Sequence, residues 1–386
     1  MECNDVVIAA YGRSAIAKAH KGALHGTHPV EFAGQVVQRV LEKLPALDTA
    51  ALDDVIIGCA RPEKSQCSNP ARLIALRAGI PATVPAQTIT RFCSSGLQAI
   101  VSGAQAIRCG EAEAILCAGV ESMSTITMGT PKMERCAWLS EHLPDAYISM
   151  GLTAENVAIR CGVTRSEMEA FAVESHHRAA RAQETGLFAQ QIVPVSITDE
   201  SGKAQMFQTD EGIRATATLE TLSKLKPAFC ENGLVTAATA SQISDGAAAL
   251  VLMSAAKAKE LELRPLGRFI AHAVIGIDPA YMGLGPIEAV RRLLKRTGMS
   301  AGDFDAIELN EAFAAQAIPC IRELGFDPLK VNPQGGAIAL GHPLGATGAI
   351  LTCKLLSQLE RVGGRFGLTT MCIGGGMGAA AVFERL

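Results

Sequence analysis

The chain is predicted to be a layered α/β protein built from two copies of one unit with a long segment between them. Three observations carry this expectation. Residues near the two ends of the chain match in register, helix-like and strand-like stretches alternate, and the apolar content is aliphatic rather than aromatic. Of 386 residues, 48% are hydrophobic but only 4% aromatic, and 37 are glycine. That composition suits Ala/Val/Ile/Leu layers of helix on sheet, and the length allows two or three domains with well-buried cores.

The internal match joins VVQRVLEKLPALDTAALDDVIIGC, from Val36, to EAVRRLLKRTGMSAGDFDAIELNE, from Glu288. A constant offset of 252 pairs Arg39 with Arg291, Leu41 with Leu293, Lys43 with Lys295, Asp53 with Asp305 and Val55 with Ile307. Each copy reads as an amphipathic helix, a connector and a short apolar strand, the strands ending at Gly58 and Asn310. Further on, Cys93-Ser-Ser-Gly96 corresponds to His342-Pro-Leu-Gly345 at an offset of 249. Helix-like stretches follow at 97–108 and 347–359, then glycine turns, then the strands AILCAG, ending near Gly119, and FGLTTMC, ending at Cys372. DVVIAA near the start and RFIAHAVIG from Arg268 fit the same scheme. Such ordered repetition is far more specific than one shared glycine.

The alternation predicts a mostly parallel sheet with helices on its faces. Two copies packed about a pseudo-two-fold would bring Cys93 and His342 to corresponding points of one shared site. The stretch 122–243 has no counterpart in either copy. It contains Met- and Ser-rich turns, a helix over 166–184 and polar loops such as ITDESGKAQ, and an insertion of this kind is expected to carry substrate specificity.

Three reactive side chains stand among glycines and small residues, where backbone can approach a ligand closely. Cys93 precedes a helix start, so the helix dipole should lower its pKa and favour the thiolate, and the first amides offer a place for a developing oxyanion. The plain alternative is an inert buried cysteine. His342 sits in GGAIALGHPLGATG, with Pro343 suited to a helix start; alone it reads equally well as a surface or core histidine, but the duplication sets it opposite Cys93. Cys372 precedes Ile373-Gly374-Gly375-Gly376, whose amides form either an anion-binding nest or a strand end packed on backbone. Asn310 opens NEAFAAQ, either holding a water or carbonyl oxygen beside a pocket lined by Phe313, or simply capping a helix. A thiol nucleophile, an imidazole to activate it and a second thiol to move protons make an acyl-transfer apparatus.

A net charge of −3 argues against a general nucleic-acid binder. The start has an apolar run of five residues, so neither a secretory signal nor a membrane anchor is expected, and the final FERL is not the peroxisomal tripeptide. The 12 cysteines include no C-x-x-C pair and are expected to be reduced thiols in a cytoplasmic compartment. No metal-ligand spacing is present, so no metal is expected.

These blocks resemble the thiolase family: RFCSSGLQAI, GVESMS from Gly119, MGLTAENVA from Met150, SDGAAAL from Ser244, NEAFAAQ, GGAIALGHPLG and MCIGGGMGAA, in order over essentially the whole chain. The resemblance implies a duplicated five-layer αβαβα fold with an inserted loop domain: residues 1–121 plus 244–265, a CoA-binding loop domain at 122–243, and residues 266–386. It implies thiolytic cleavage of 3-ketoacyl-CoA in fatty-acid β-oxidation, with coenzyme A as co-substrate, no tightly bound cofactor, and a homodimer or homotetramer. Cys93 would carry the acyl group, His342 accept its proton and Cys372 act as the second acid/base. The Cys93 and Gly374 amides would hold one oxyanion, and His342 with a water on Asn310 the other. Arg214, Thr221, Ala240 and Ser241 would contact CoA, while Met150, Met282 and Phe313 line the acyl and pantetheine end. Arg214 reads otherwise as a solvated arginine, and the last three as core. Thr239 stands where the family block has Asn, and Ser149 where short-chain biosynthetic members carry His. Ser149 and Gln242 lean toward a degradative enzyme of broader chain length, with an acetoacetyl-CoA thiolase as the alternative; a non-catalytic CoA- or lipid-binding scaffold would be marked by loss of Cys93, His342 or Cys372, and all three are present.

Overall fold

A computed structural model describes residues 2, 5–126, 134–198 and 202–386. The centre of ITDESGKAQ and part of the Met-rich turns therefore lie outside the described residues. The first copy comprises β1 (Val6–Arg13), β2 (Ala17–Lys18), α1 (Pro29–Leu41), β3 (Asp54–Cys59), α2 (Pro70–Arg77), β4 (Ala86–Ile89), α3 (Ser95–Arg108) and β5 (Ala114–Ser122). The intervening segment holds α4 (Ala137–His142), α5 (Met150–Cys161), α6 (Arg165–Glu184), β6 (Val195–Thr198), β7 (Ala204–Phe207) and α7 (Leu219–Ser223), and leads into β8 (Ser244–Ser254) and α8 (Ala255–Glu260). The second copy has β9 (Gly267–Gly276), α9 (Gly285–Thr297), β10 (Ala306–Leu309), α10 (Ala314–Leu324), α11 (Ala337–Leu340), α12 (Leu344–Val362), β11 (Phe366–Ile373) and β12 (Met377–Arg385).

The duplication is visible in the strand order. One half runs β4-β3-β5-β8-β1 and the other β10-β11-β12-β9, so β3, β5, β8 and β1 match β10, β11, β12 and β9. Even the outermost pairing repeats, because Val55 pairs with Ala86 and its offset partner Ile307 bridges in parallel to Val331. Among the described residues the two half-sheets pair only through Val7↔Arg268 and Ile8↔Gly267. Alternate residues of each strand face opposite ways: Ile56 joins the central core, while Val55 and Ile57 pack outward on α1 and α2. With α9 and α10 covering the far face of the second half and α3 and α12 in the middle, the chain stacks as helix, sheet, helix, sheet, helix.

The sheets are not mostly parallel, as the helix–strand alternation had predicted. Pairs β3–β4, β3–β5 and β10–β11 are parallel, but β5–β8, β8–β1, β11–β12 and β12–β9 are antiparallel. No crossover helix separates β11 from β12; the chain turns directly at Gly374–Gly376, and a direct turn makes an antiparallel pair.

The central layer is held at close range. A Cβ at Gly348 of α12 would lie 2.3 Å from the Leu97 nitrogen of α3, and one at Gly96 2.9 Å from the Ala349 nitrogen. Lys354, fully buried on α12, donates to Glu308 of β10 at 2.6 Å and to the Gly335 carbonyl at 2.7 Å. Pairing and hydrogen bonding of this kind are what keep a buried cation tolerable. At the other end of the stack, Arg13 forks onto Asp210 at 2.8 and 2.9 Å, pinning the insertion to β1.

The Gly348 contact makes a directional expectation. Gly→Ala inside a helix ordinarily stabilises by about 1 kcal/mol, but a methyl pressed on backbone cannot be relieved by a rotamer change. Gly348→Ala should therefore lower the urea unfolding midpoint, by an overpacking cost of about 1–3 kcal/mol. An unchanged or raised midpoint would contradict so close a crossing.

Candidate active site

Cys93 is presented by a strained elbow between β4 and α3. Phe92 has φ of +43°, a conformation costly for a bulky side chain, and it turns the chain so that Cys93 lies in a tight turn ahead of the helix. The turn is braced by Ser95, whose hydroxyl accepts from the Arg91 amide at 2.9 Å and donates to the Phe92 carbonyl at 2.7 Å. This turn packs on α12 and on the end of β11. There the Cys93 sulfur accepts a hydrogen bond from the Gly374 amide. Gly375 and Gly376, both at φ +80°, give the β11–β12 turn its shape. Cys372, completely buried just before that turn, is near enough to Cys93 for the Cys93 thiol to disfavour its ionisation.

His342 lies in the link between α11 and α12. Its amide donates to the Gln242 carbonyl at 3.0 Å, its Nδ1 lies 2.7 Å from Thr347 Oγ1, and its Nε2 is 3.4 Å from Asn310 Nδ2. Asn310 is fully buried, and its Oδ1 has no partner among the described residues. It caps no helix, because α10 starts at Ala314; its amide is instead tied to the Thr370 carbonyl of β11 at 3.0 Å. The fold thus brings Cys93, His342, Cys372, Asn310 and Gly374 to one place, at the strand and helix ends related by the pseudo-two-fold.

The electrostatics differ from the sequence expectation for Cys93. Burial raises its pKa to about 11, outweighing the Gly374 amide and its own, and the carboxylate of Glu121 opposes ionisation further. Desolvation penalises the charged form of a thiol, and the elbow sets Cys93 before the helix rather than in its first turn, where the dipole acts most strongly. Burial also lowers His342 to about 4, so near neutral pH the resting pair is a thiol and a neutral imidazole. Cys372 is likewise held well above the ordinary thiol range by burial.

Several supporting residues give no local sequence signal of their role. The strand predicted to end near Gly119 continues through Ser122, placing Glu121 in the interior. Its carboxylate accepts from the amides of Ala60 and Gly345, both at 2.8 Å, and from Gln66 at 2.8 Å, joining the end of β3 to the first turn of α12. Gln242 donates through Nε2 to the carbonyls of Gly212, Ile338 and Ala339 at 2.9–3.1 Å. Its amide nitrogen thus ties the residues before β8 to Gly212 and to α11. Phe229, half-exposed, lies against Gly151 and edge-on to Phe313 with ring centroids 5.8 Å apart.

The expected CoA and acyl residues divide into two groups. Ala240 bridges to Phe313, and the Ser241 amide donates to the Ala312 carbonyl at 2.9 Å, so this loop lies along the segment that follows Asn310. Thr239, in place of the family's Asn, accepts from the Thr236 amide at 2.9 Å and donates to its carbonyl at 3.2 Å, keeping the loop satisfied. Met150, at the start of α5, approaches Gly374, and Met282, Phe313 and Cys372 share one apolar cluster. Ser149 is used as the cap of α5. Arg214 is exposed, with its backbone fixed by His176, and the exposed Thr221 spends its hydroxyl in the capping box of α7 with Thr218. Neither side chain is joined to the Cys93 cluster.

Comparison with known proteins accords with this geometry. The thiolase N-terminal domain model matches residues 6–256 and the thiolase C-terminal domain model residues 263–385. The chain is 47% identical to a 3-ketoacyl-CoA thiolase of Bacillus subtilis (98% of this chain, 99% of the relative). It is 45% identical to an acetyl-CoA acetyltransferase of Pseudomonas aeruginosa (99% of each). It superposes on the crystal structure of the dimeric peroxisomal thiolase of Saccharomyces cerevisiae with a TM-score of 0.93, at 38% identity over 100% of this chain and 98% of that one. A buried pair of thiols beside a histidine and an asparagine, on a duplicated five-layer scaffold matched end to end, places the chain in the thiolase family.

Proposed function

We propose that the chain is an acyltransferase that cleaves 3-ketoacyl-CoA with coenzyme A, releasing acetyl-CoA and a shortened acyl-CoA, and that the reaction reverses as a Claisen condensation. The observation that carries this reading is the convergence of Cys93, the Gly374 amide and Cys372 beside the His342–Asn310 pair. A single nucleophile would suffice for hydrolysis; a second thiol is needed where a carbanion must be protonated.

In cleavage, Cys93 passes its proton to His342 Nε2 as its sulfur attacks the 3-keto carbon. The amides of Cys93 and Gly374 hold the resulting oxyanion, and removing one such donor typically costs about 10²–10³ in rate. The C2–C3 bond breaks, leaving an acyl thioester on Cys93 and the enolate of acetyl-CoA, whose oxygen is held by protonated His342 and a water on Asn310. Cys372 protonates the carbanion and becomes a thiolate. That thiolate takes the proton of incoming coenzyme A, whose sulfur attacks the acyl group; Cys93 departs and recovers its proton from His342. Each proton is returned, so the site is unchanged over a cycle.

The stretch 122–243 is read as the CoA-binding loop domain, between flanking domains at 1–121 plus 244–265 and 266–386. Ala240 and Ser241 would meet pantetheine through their backbone beside Phe229, Phe313, Met150 and Met282, while exposed Arg214 and Thr221 would face the nucleotide end. The dimeric yeast relative supports a homodimer or homotetramer, and the exposed free thiols of Cys67, Cys109, Cys136 and Cys230 suit a cytoplasmic, reducing setting. The relative named 3-ketoacyl-CoA thiolase supports degradation in fatty-acid β-oxidation, and the one named acetyl-CoA acetyltransferase supports condensation as the second reading.

Steady-state rates on acetoacetyl-CoA, 3-ketohexanoyl-CoA and longer 3-ketoacyl-CoAs separate the two. Degradative function is expected to show as turnover of the longer substrates at rates matching or exceeding the four-carbon one. Activity confined to acetoacetyl-CoA would move the assignment to the acetyltransferase.

The pH dependence has a defined sign. Only neutral His342 can accept the Cys93 proton, and burial holds its pKa near 4, below the ordinary histidine value of 6.5. Acyl-enzyme formation should therefore persist as pH falls through 6.5 and decline only as the His342 value is approached. An acid limb centred at or above 6.5 would contradict a buried neutral base.

A further inference from the structure

We propose that the Thr347 hydroxyl fixes the tautomer of His342, keeping the proton on Nδ1 so that Nε2 presents its lone pair to Cys93. The inference rests on His342 acting as the base for Cys93. Burial already holds the ring neutral, which leaves its tautomer as the property still to be set. An unconstrained neutral histidine favours the proton on Nε2, which is the wrong nitrogen to be blocked.

Thr347 lies one turn into α12, where its Oγ1 is 2.7 Å from His342 Nδ1 and 3.1 Å from the Pro343 carbonyl. The hydroxyl has one proton and lone pairs to spare. Donated to the Pro343 carbonyl, that proton leaves the oxygen to accept from Nδ1–H. On the opposite side Asn310 presents Nδ2–H to Nε2 at 3.4 Å, which requires a lone pair there. This arrangement satisfies three donors: the ring N–H, the hydroxyl and one amide hydrogen. The reverse arrangement, with the hydroxyl donating to Nδ1 and Nε2–H donating to a flipped Asn310, satisfies two and leaves the buried amide NH2 facing outward from the pair. Buried polar groups are costly to leave unpaired, so the first arrangement is favoured.

The device resembles a catalytic triad in its logic, in which a third group orients the imidazole. Here the third group is a neutral hydroxyl rather than a carboxylate. It orients the ring without adding a negative charge that would raise its basicity, so it is a positioning residue. When His342 gains the Cys93 proton, Thr347 still accepts from Nδ1–H and the ring need not turn.

The test compares the parent enzyme with Thr347→Val, which keeps the shape and loses the hydroxyl, and Thr347→Ser, which restores it. Acyl-Cys93 formation from saturating acetyl-CoA is followed by rapid quench, with 15N-histidine NMR reporting the His342 tautomer. Thr347→Val should slow acylation on the order of 10–10²-fold, a part of the roughly 10²–10⁴-fold that general-base catalysis supplies in full, while KM scarcely moves. Thr347→Ser should recover most of that rate, and the parent spectrum should show a protonated Nδ1. Two results would each overturn the inference: a parent spectrum with the proton on Nε2, which needs no variant, or a Thr347→Val enzyme with parental rate and tautomer. His342→Ala serves as the reference. Should it acylate normally, the base assignment itself fails; should it be inert while Thr347→Val is normal, only the role of Thr347 falls.

Discussion

The close crossing of α3 and α12 in the middle layer is the constraint on which the rest of the molecule depends. Gly96 and Gly348 let the first turns of these helices meet backbone to backbone. The elbow bearing Cys93 precedes one helix and the link bearing His342 precedes the other, so the crossing sets the two reactive groups in register. Glu121 secures the same junction by taking amides from the end of β3 and from Gly345. In the proposed mechanism a duplicated unit serves as a catalytic device, because symmetry brings two equivalent helix starts together. The two copies then specialise: β11 ends in Cys372 and a three-glycine turn, whereas the equivalent β5 ends in a buried carboxylate.

The crossing also determines the chemistry through burial. A buried thiol and a buried imidazole both favour neutrality, so the structure stores no thiolate–imidazolium pair at rest. In the proposed reaction the proton moves when a carbonyl carbon arrives to take the sulfur's electrons and amides stand ready for the oxygen. Charge is created only where donors await it, as electrostatic preorganisation requires. The strained φ at Phe92 belongs to this arrangement, since a relaxed turn would leave Cys93 differently aimed at the Gly374 amide.

Much of this was legible along the chain because it is encoded by short-range pattern. The 3.6-residue apolar period of the helices before Asp53 and Asp305, and the strands after them, survive in both copies, so the offset could be followed by eye. The equivalence of Cys93 and His342 came with it, and the glycine turn after Cys372 marked a place where backbone must come close. The parts that were not legible depend on distant partners. Strand direction is one of them: the order of helices and strands does not say whether β8 and β12 return antiparallel. The raised pKa of Cys93 could not be read from its helix start, since the desolvation comes from packing of its turn on α12 and β11. The anchoring role of Gln242 depends on carbonyls of Gly212 and of α11, which are distant in sequence, and Thr347 reads as one more small residue in GHPLGATG.

The central claim is a division of labour between two buried thiols, one carrying carbon and the other carrying protons. It is tested most directly by incubating the parent, Cys93→Ala and Cys372→Ala enzymes with acetyl-CoA, quenching in acid and mapping the acetylated peptide by mass spectrometry. The expected result is an acetyl group on the Cys93 peptide in the parent and in Cys372→Ala, and none in Cys93→Ala. Adduct at normal yield in Cys93→Ala, or acetyl found on Cys372, would contradict the account.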